Sequence, residues 1–178
     1  MNPYKTDKIN LVDFMEKIRL EDYRYANSSS RIHIGYWFFI AFYIVLIGKH
    51  IYDGNSLIEI FSSVCYLFSM VTFAFIFRYY SKEFKDVDYS LATLTVLKNV
   101  ADRYNPFRSK MSLVFIAVLL VDLGLSVKET TIAEILWIQV MFAIIITIAI
   151  VVGLVIWYKR YKPLRDEALL LIRQIEEE

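Results

Sequence analysis

Residues 135–158 read ILWIQVMFAIIITIAIVVGLVIWY, a stretch without a charged side chain. Gln139 and Thr147 are its polar interruptions. Trp137 and Trp157 lie twenty residues apart, about 30 Å along a helix, which matches the thickness of the hydrocarbon core of a bilayer. Tryptophan is enriched at both membrane interfaces. The stretch therefore predicts a transmembrane helix, because the buried helix of a soluble protein rarely runs this long without a polar face.

The composition of the whole chain indicates a helical membrane protein. Of its 178 residues, 57% are hydrophobic, and they come in four long blocks, whereas transmembrane strands would alternate over about ten residues. The predicted fold is all-α, a polytopic membrane protein with four transmembrane helices and cytoplasmic amphipathic helices. The predicted segments are a cytoplasmic helix at 1–31, spans at 32–52, 57–77, 111–127 and 132–158, a cytoplasmic helical segment at 78–110 and a tail helix at 159–178.

The positive charges predict the orientation of these spans. Eighteen of the twenty Lys and Arg residues fall in the three predicted cytoplasmic segments, and only Lys49 and Lys128 fall elsewhere. Loops rich in Lys and Arg stay in the cytoplasm. We therefore expect a multi-pass protein of the bacterial inner membrane with both termini in the cytoplasm.

Each predicted cytoplasmic segment carries apolar residues at helical spacing. In the central segment, Phe84, Val87, Leu91 and Leu94 form a candidate face for a partner. Three such faces cannot all remain in water, so we expect the segments to pack together or against another protein. The corresponding residues of the other two segments are Leu11, Phe14, Met15, Ile18 and Tyr25 in the first, and Leu164, Ala168, Leu171 and Ile175 in the last.

Cap-forming residues predict where the helices begin and end. Residues 27–30 (NSSS) indicate a break before the first span, and Lys162 followed by Pro163 indicates another after the fourth. The second span either continues past Phe77 into the cytoplasm or kinks near 86–90. Ser56 with Glu59, and Thr131 with Glu134, have the spacing of capping boxes. They would begin the second and fourth spans on the side of the membrane opposite the amino terminus.

Two polar features lie inside the predicted spans. In the second span, Ser62, Cys65, Ser69 and Thr72 recur at helical spacing and form a stripe that either packs against another helix or lines a narrow water-filled path. Asp122 lies about 8 Å below the outer end of the third span. Because charged groups inside membranes usually have a partner, we expect Asp122 to pair with Lys49 or His50, or to be protonated and hydrogen bonded.

The sequence contains no motif for catalysis or for cofactor binding. Two histidines and one cysteine are too few for a zinc site, and His33 and His50 fall near opposite ends of one span. No phosphate-binding loop or hydrolase motif is present. The basic residues alternate with acidic ones, so nucleic acid is not an expected partner. We expect no catalytic, cofactor or metal site.

Two tracts resemble those of uncharacterised small four-span bacterial membrane proteins. They are YYSKEFKDVDYS at 79–90 and WYKRYKPL at 157–164. The layout is also similar to that of accessory or effector membrane proteins of bacterial defence loci and to that of membrane-anchored regulators. This resemblance implies a four-span fold and no assigned active site.

The favoured function is a non-enzymatic regulatory or accessory protein, because most polar residues lie on one side of the membrane. Such a protein would act through its cytoplasmic helices on a protein partner. The alternative is an oligomeric pore, channel or membrane effector, for which the stripe and Asp122 would supply polar groups. The lipid bilayer and further copies of the chain are the other expected partners.

Overall fold

The computed structural model describes residues 11–105, 112–127 and 131–177. Every regular element in these ranges is a helix, as the sequence predicts. The helices are α1 (Leu11–Tyr52), α2 (Leu57–Lys85), α3 (Thr93–Arg103), α4 (Ser112–Ser126), α5 (Ile132–Ile156) and α6 (Lys162–Glu176), and a π-helical turn at Trp157–Tyr161 joins the last two.

Three of the described helices are long and apolar enough to cross a membrane. They are α1, α2 and the continuous helix Ile132–Glu176, which contains α5, the π turn and α6. α4 is also apolar, but its 15 residues span only about 22 Å. The predicted start of the third span at Met111 lies outside the described residues, as do Lys128, Glu178 and the stretches 1–10 and 106–110.

α1 is one helix of 42 residues, so the break predicted at 27–30 is wrong. Ala26 and Ser29 are buried, and the Ser81 hydroxyl of α2 donates a hydrogen bond to the Ala26 carbonyl at 3.1 Å. Farther along, a ring nitrogen of His33 lies 2.9 Å from the carbonyl oxygen of Ala74. Packing against α2 on both sides of this region stabilises the helix more than the capping tendency of serine opposes it.

A tight turn reverses the chain between α1 and α2. Gly54 has a φ of 69°, a left-handed conformation that favours glycine. The Ser56 hydroxyl then accepts the Glu59 N–H at 3.4 Å and caps α2. α2 continues past Phe77, as one predicted alternative has it, and it ends at Lys85, directly before the 86–90 region where the other alternative placed a kink. Residues 86–92 then form a non-helical linker to α3, which we call the linker.

The break predicted at Lys162 and Pro163 is also wrong, because the helix passes through this region as a π turn. Lys162 N–H donates to the carbonyl of Trp157, five residues earlier. Proline lacks the N–H that an α-helical bond would use and crowds the preceding turn. The wider π turn directly before Pro163 allows the chain to continue into α6.

Four helical segments pack around a hydrophobic core at one end of the molecule. They are residues 11–30 of α1, residues 78–85 of α2, α3 and α6, and together with the linker they form what we call the polar bundle. Each fully buried aliphatic side chain contributes about 1.5–3 kcal/mol. The buried core residues are Phe14, Ile18, Ala26, Phe84, Val96, Leu97, Val100, Tyr104, Leu164, Ala168, Leu171 and Ile172.

Candidate functional site

A buried carboxylate lies at the centre of the polar bundle. Asp22 is 1% exposed, because it follows Phe14 and Ile18 at four-residue steps on the same face of α1. Its Oδ1 accepts a hydrogen bond from the Tyr104 hydroxyl at 2.6 Å. Its Oδ2 accepts one from the Tyr89 hydroxyl at 2.5 Å. One side chain of α1 therefore binds both the linker and the residue that ends α3.

Arg103 supplies the positive charge beside this carboxylate. Its Nη2 lies 3.1 Å from Asp22 Oδ2, and the two side chains are 7% and 2% exposed. The guanidinium carbon also lies 5.8 Å from the centre of the Phe84 ring, within the range of a cation–π interaction. Within the described ranges, neither Arg103 Nε nor Nη2 has a hydrogen-bond acceptor, so the contact of Nη2 with Asp22 is an ion pair without a hydrogen bond. Because removing one partner of a buried ion pair is strongly destabilising, this pair holds α1 and α3 together.

The environment of Asp22 also determines the protonation of its neighbours. Burial raises the pKa of Asp22 above its ordinary value, while the charge of Arg103 and the two phenol hydrogen bonds act to lower it. Burial raises the pKa of both Tyr89 and Tyr104, and the nearby carboxylate raises it further. Both phenols therefore remain protonated at neutral pH and can donate to the carboxylate.

Tyr104 connects this buried group to the long apolar helix. Its ring stacks on that of Tyr161, with centroids 5.5 Å apart and an angle of 15° between the planes. Its carbonyl accepts the Trp157 indole N–H at 2.8 Å. Trp157 and Tyr161 are the first and last residues of the π turn. Such turns frequently occur at functional sites. Here the π turn holds the end of α5 against the residue that ends α3.

Ion pairs at the rim reinforce the same arrangement. Arg160 in the π turn places Nη2 2.6 Å and Nε 2.7 Å from Glu21 Oε2 on α1. Lys17 on α1 lies 3.1 Å from Glu167 on α6. The Glu21 contact raises the pKa of Arg160. Exposed pairs contribute only about 0–1 kcal/mol each, so they orient the helices more than they stabilise them.

The four residues of the predicted partner face do not share one helix face, so the prediction of a single apolar helix face is wrong. Phe84 is buried in α2, Val87 and Leu91 lie in the linker, and Leu94 lies in α3. Leu91 is 45% exposed, and Leu94 packs partly against the core. The helical segment predicted at 78–110 is interrupted between Lys85 and Thr93, in the region of the predicted alternative of a kink. The inward residues of α3 are Val96, Leu97 and Val100.

The stripe predicted on α2 faces α4. Ser62, Cys65 and Ser69 are buried. The Ser62 hydroxyl donates to the Gly124 carbonyl at 2.6 Å, and that of Ser69 donates to the Ala117 carbonyl at 2.9 Å. Small residues and interhelical hydrogen bonds of this kind are typical of close packing between helices in membranes.

The fourth residue of the stripe bonds within its own helix, whereas Gly124 of α4 lies close to α2. Thr72 donates its hydroxyl to the Phe68 carbonyl of its own helix at 2.8 Å. At Gly124, an added Cβ would lie 2.8 Å from the Tyr66 ring and 3.2 Å from the Ser62 carbonyl oxygen. A side chain there would clash, so the glycine allows α2 and α4 to approach closely.

Asp122 pairs with Gln139 and not with Lys49 or His50, so the predicted partners are wrong. The Gln139 amide donates to Asp122 Oδ1 and to the Ser126 hydroxyl, each at 2.7 Å. α4 packs on α2 and α5, which places Gln139 beside Asp122, whereas Lys49 and His50 belong to α1. The Asn55 side-chain nitrogen lies 2.5 Å from His50 Nδ1. The Asp122 side chain therefore joins α4 to α5.

Sequence reasoning overlooked the central carboxylate of the polar bundle. The signal was present, because Asp22 interrupts the apolar series of Phe14 and Ile18 at the next four-residue step. Tyr89 and Arg103 gave no comparable signal, since the kink near 86–90 was one of two alternatives and did not by itself indicate that these residues reach Asp22. Gln139 was visible as a rare polar residue in its span, but its partner depends on which helix lies next to it.

The arrangement consists of a buried ion pair and two phenols that donate to the same carboxylate. Within the described ranges, no group of three or more His, Cys, Asp and Glu side chains is placed to hold a metal ion. Comparisons of the chain with protein-family models, with curated proteins and with solved structures found no match. The interpretation of the polar bundle therefore depends on its own geometry.

Proposed function

We propose that this protein is a non-enzymatic regulatory or accessory protein of a bacterial inner membrane, anchored by four spans with both termini in the cytoplasm. The polar bundle is its working part, and it acts by binding a cytoplasmic protein. The observation that carries this proposal is the continuity of the long helices. α1, α2 and the helix Ile132–Glu176 each run from an apolar stretch directly into the polar bundle, so the bundle is built rigidly on the proposed anchor.

The surface of α1 supports an interaction with another protein. Val12, Leu20 and Tyr23 are 73%, 52% and 70% exposed, although they lie in the part of α1 that belongs to the polar bundle. Exposed apolar groups rimmed by polar residues mark interaction sites, and Glu16 and Arg19 provide such a rim. The alternative of a pore has less support, because Ser62 and Ser69 use their hydroxyls to join α2 to α4.

Site-specific crosslinking in living cells tests this proposal. A photoreactive amino acid replaces Tyr23 in the full chain, and the matched control replaces Tyr52, which is 91% exposed at the opposite end of α1. We expect a discrete crosslink to a cytoplasmic protein from position 23 and none to that protein from position 52. The absence of any protein crosslink from position 23 and from a second variant at Leu20 would contradict the proposal.

A further inference from the structure

The linker between α2 and α3 is attached to α1 by a hydrogen bond from its middle residue. Tyr89 reaches Asp22 with its hydroxyl, while Asp88, Ser90 and Leu91 beside it are exposed. Asp88 Oδ1 accepts the backbone N–H of Ser90 at 2.9 Å and its hydroxyl at 2.6 Å. This local turn keeps the shape of the linker, so the segment can move as a unit.

The two phenols on Asp22 differ in how firmly they are held. Tyr104 is 3% exposed, ends α3 and is stacked on Tyr161. It cannot leave Asp22 without disturbing the core. Tyr89 also packs against the core, but it is only half-buried and lies outside any helix. The hydrogen bond of Tyr89 is therefore the one that can break while the helices stay packed.

Open space lies on both sides of the linker. On one side, the Tyr89 ring forms a wall of an open groove of about 620 Å³ that α1 lines with Met15 and Leu20 among others. On the other side, Val87 and Leu91 line a hollow of about 400 Å³ that extends to Arg103. At the end next to α3, Ala92 provides no side-chain cap. The linker therefore has room to move, and backbone hydrogen bonds to the Ala92 carbonyl hold it where it joins α3.

We propose that the linker is a latch closed by the hydrogen bond from Tyr89 to Asp22. In the open state the linker moves away from α1. The groove beside the Tyr89 ring then extends as far as Asp22. The carboxylate keeps Tyr104 and Arg103 as partners, and water replaces the Tyr89 hydroxyl. The latch would regulate access to the polar bundle, and in this respect it rests on the proposed function. Its opening is nevertheless a property of the linker that can be measured without a partner.

Limited proteolysis of the full chain in lipid nanodiscs measures this opening. Chymotrypsin cleaves after Tyr89 or Leu91 when the linker opens, and Tyr89→Phe keeps the cleavage site while removing the hydroxyl. When opening is fast relative to cleavage, the rate follows the open population. Loss of one hydrogen bond to a charged group should raise cleavage in the linker about tenfold or more. The matched control, Tyr104→Phe, removes the other phenol hydroxyl from the same carboxylate.

The ratio of linker cleavage to cleavage at Tyr23 and Tyr161 decides between the outcomes. The latch predicts that Tyr89→Phe raises this ratio and that Tyr104→Phe does not. Asp22→Asn, which leaves a weaker acceptor, should raise it as well. An unchanged ratio in Tyr89→Phe, or equal ratios in the two phenol variants, would overturn the latch. Neither result would affect the proposed function, which the crosslinks from position 23 test separately.

Discussion

The indole N–H of Trp157 donates a 2.8 Å hydrogen bond to the backbone carbonyl of Tyr104. This contact joins the end of the most apolar helix to the residue that ends α3, whose hydroxyl donates to Asp22. Arg160, one turn later, pairs with Glu21 on α1. The π turn therefore places a membrane-length helix and the buried carboxylate in one connected arrangement, through which a shift of that helix would reach the polar bundle.

The first prediction concerns the buried ion pair. Arg103→Met leaves the carboxylate of Asp22 buried without its cation, and should lower the free energy of unfolding by about 3–5 kcal/mol. Lys98→Met is the matched control, because it removes an exposed pair with Glu176 that contributes at most about 1 kcal/mol. Denaturant unfolding in detergent measures both. Equal effects of the two substitutions would contradict the role assigned to Arg103.

The second prediction concerns pH. Burial raises the pKa of Asp22 in the folded protein, so the folded protein binds this proton more tightly than the unfolded chain. Stability contributed by this group is then greatest below the ordinary aspartate pKa of about 4, and it falls as pH rises to the raised value. The melting temperature of the wild type, relative to that of Asp22→Asn, should therefore increase on acidification from about pH 7 to about pH 4. A relative decrease would show that Arg103 and the phenols outweigh burial.

The third prediction concerns the contact between α2 and α4. In Gly124→Ala the new Cβ would meet the Tyr66 ring and the Ser62 carbonyl, so we expect a loss of about 1–3 kcal/mol. Gly153→Ala is the control, because no described atom other than the nearby backbone of the same helix lies within 4 Å of a Cβ at that position. Replacing glycine by alanine inside a helix is otherwise favourable by up to about 1 kcal/mol. Thermal unfolding in detergent compares the two, and equal stabilities would argue against the close approach.

The fourth prediction concerns the pairing of Asp122. A double-mutant cycle between Asp122→Leu and Gln139→Leu should show a coupling energy of about 0.5–1.7 kcal/mol, the range of hydrogen bonds between membrane helices. The parallel cycle between Asp122→Leu and Lys49→Met should be additive within about 0.5 kcal/mol. Stability in detergent is the measurement. Coupling in the second cycle and additivity in the first would restore the partner that the sequence suggested.

Local sequence patterns were sufficient to predict the helical class, because long apolar blocks fit helices and do not fit the alternating pattern of transmembrane strands. They were also sufficient for the inward residues Phe14 and Ile18, since helical spacing determines which residues share a face. They were not sufficient to show that α1 continues through Ser29, because packing against α2 overcomes the capping tendency of serine. Nor could they assign Asp122 its partner, because the neighbour of a helix is determined by tertiary packing.

The linker shows the same limit within the polar bundle. The apolar series through Phe84, Val87 and Leu91 fits one helical face, and the two hydrogen bonds from Ser90 to Asp88 stabilise a turn instead. This turn brings Tyr89 to Asp22, a contact between residues far apart in the chain. The central group of the candidate site therefore depends on an interruption that the sequence offered only as an alternative, the kink near 86–90.

Ion flux through liposomes tests most directly whether the protein acts through its polar bundle or as a pore. Purified protein in sealed liposomes should release no more ion or dye than empty liposomes, because Ser62 and Ser69 are bound to α4 and α5 is almost wholly apolar. Sustained flux from the wild type that disappears in Ser69→Leu would contradict the account and would establish a pore.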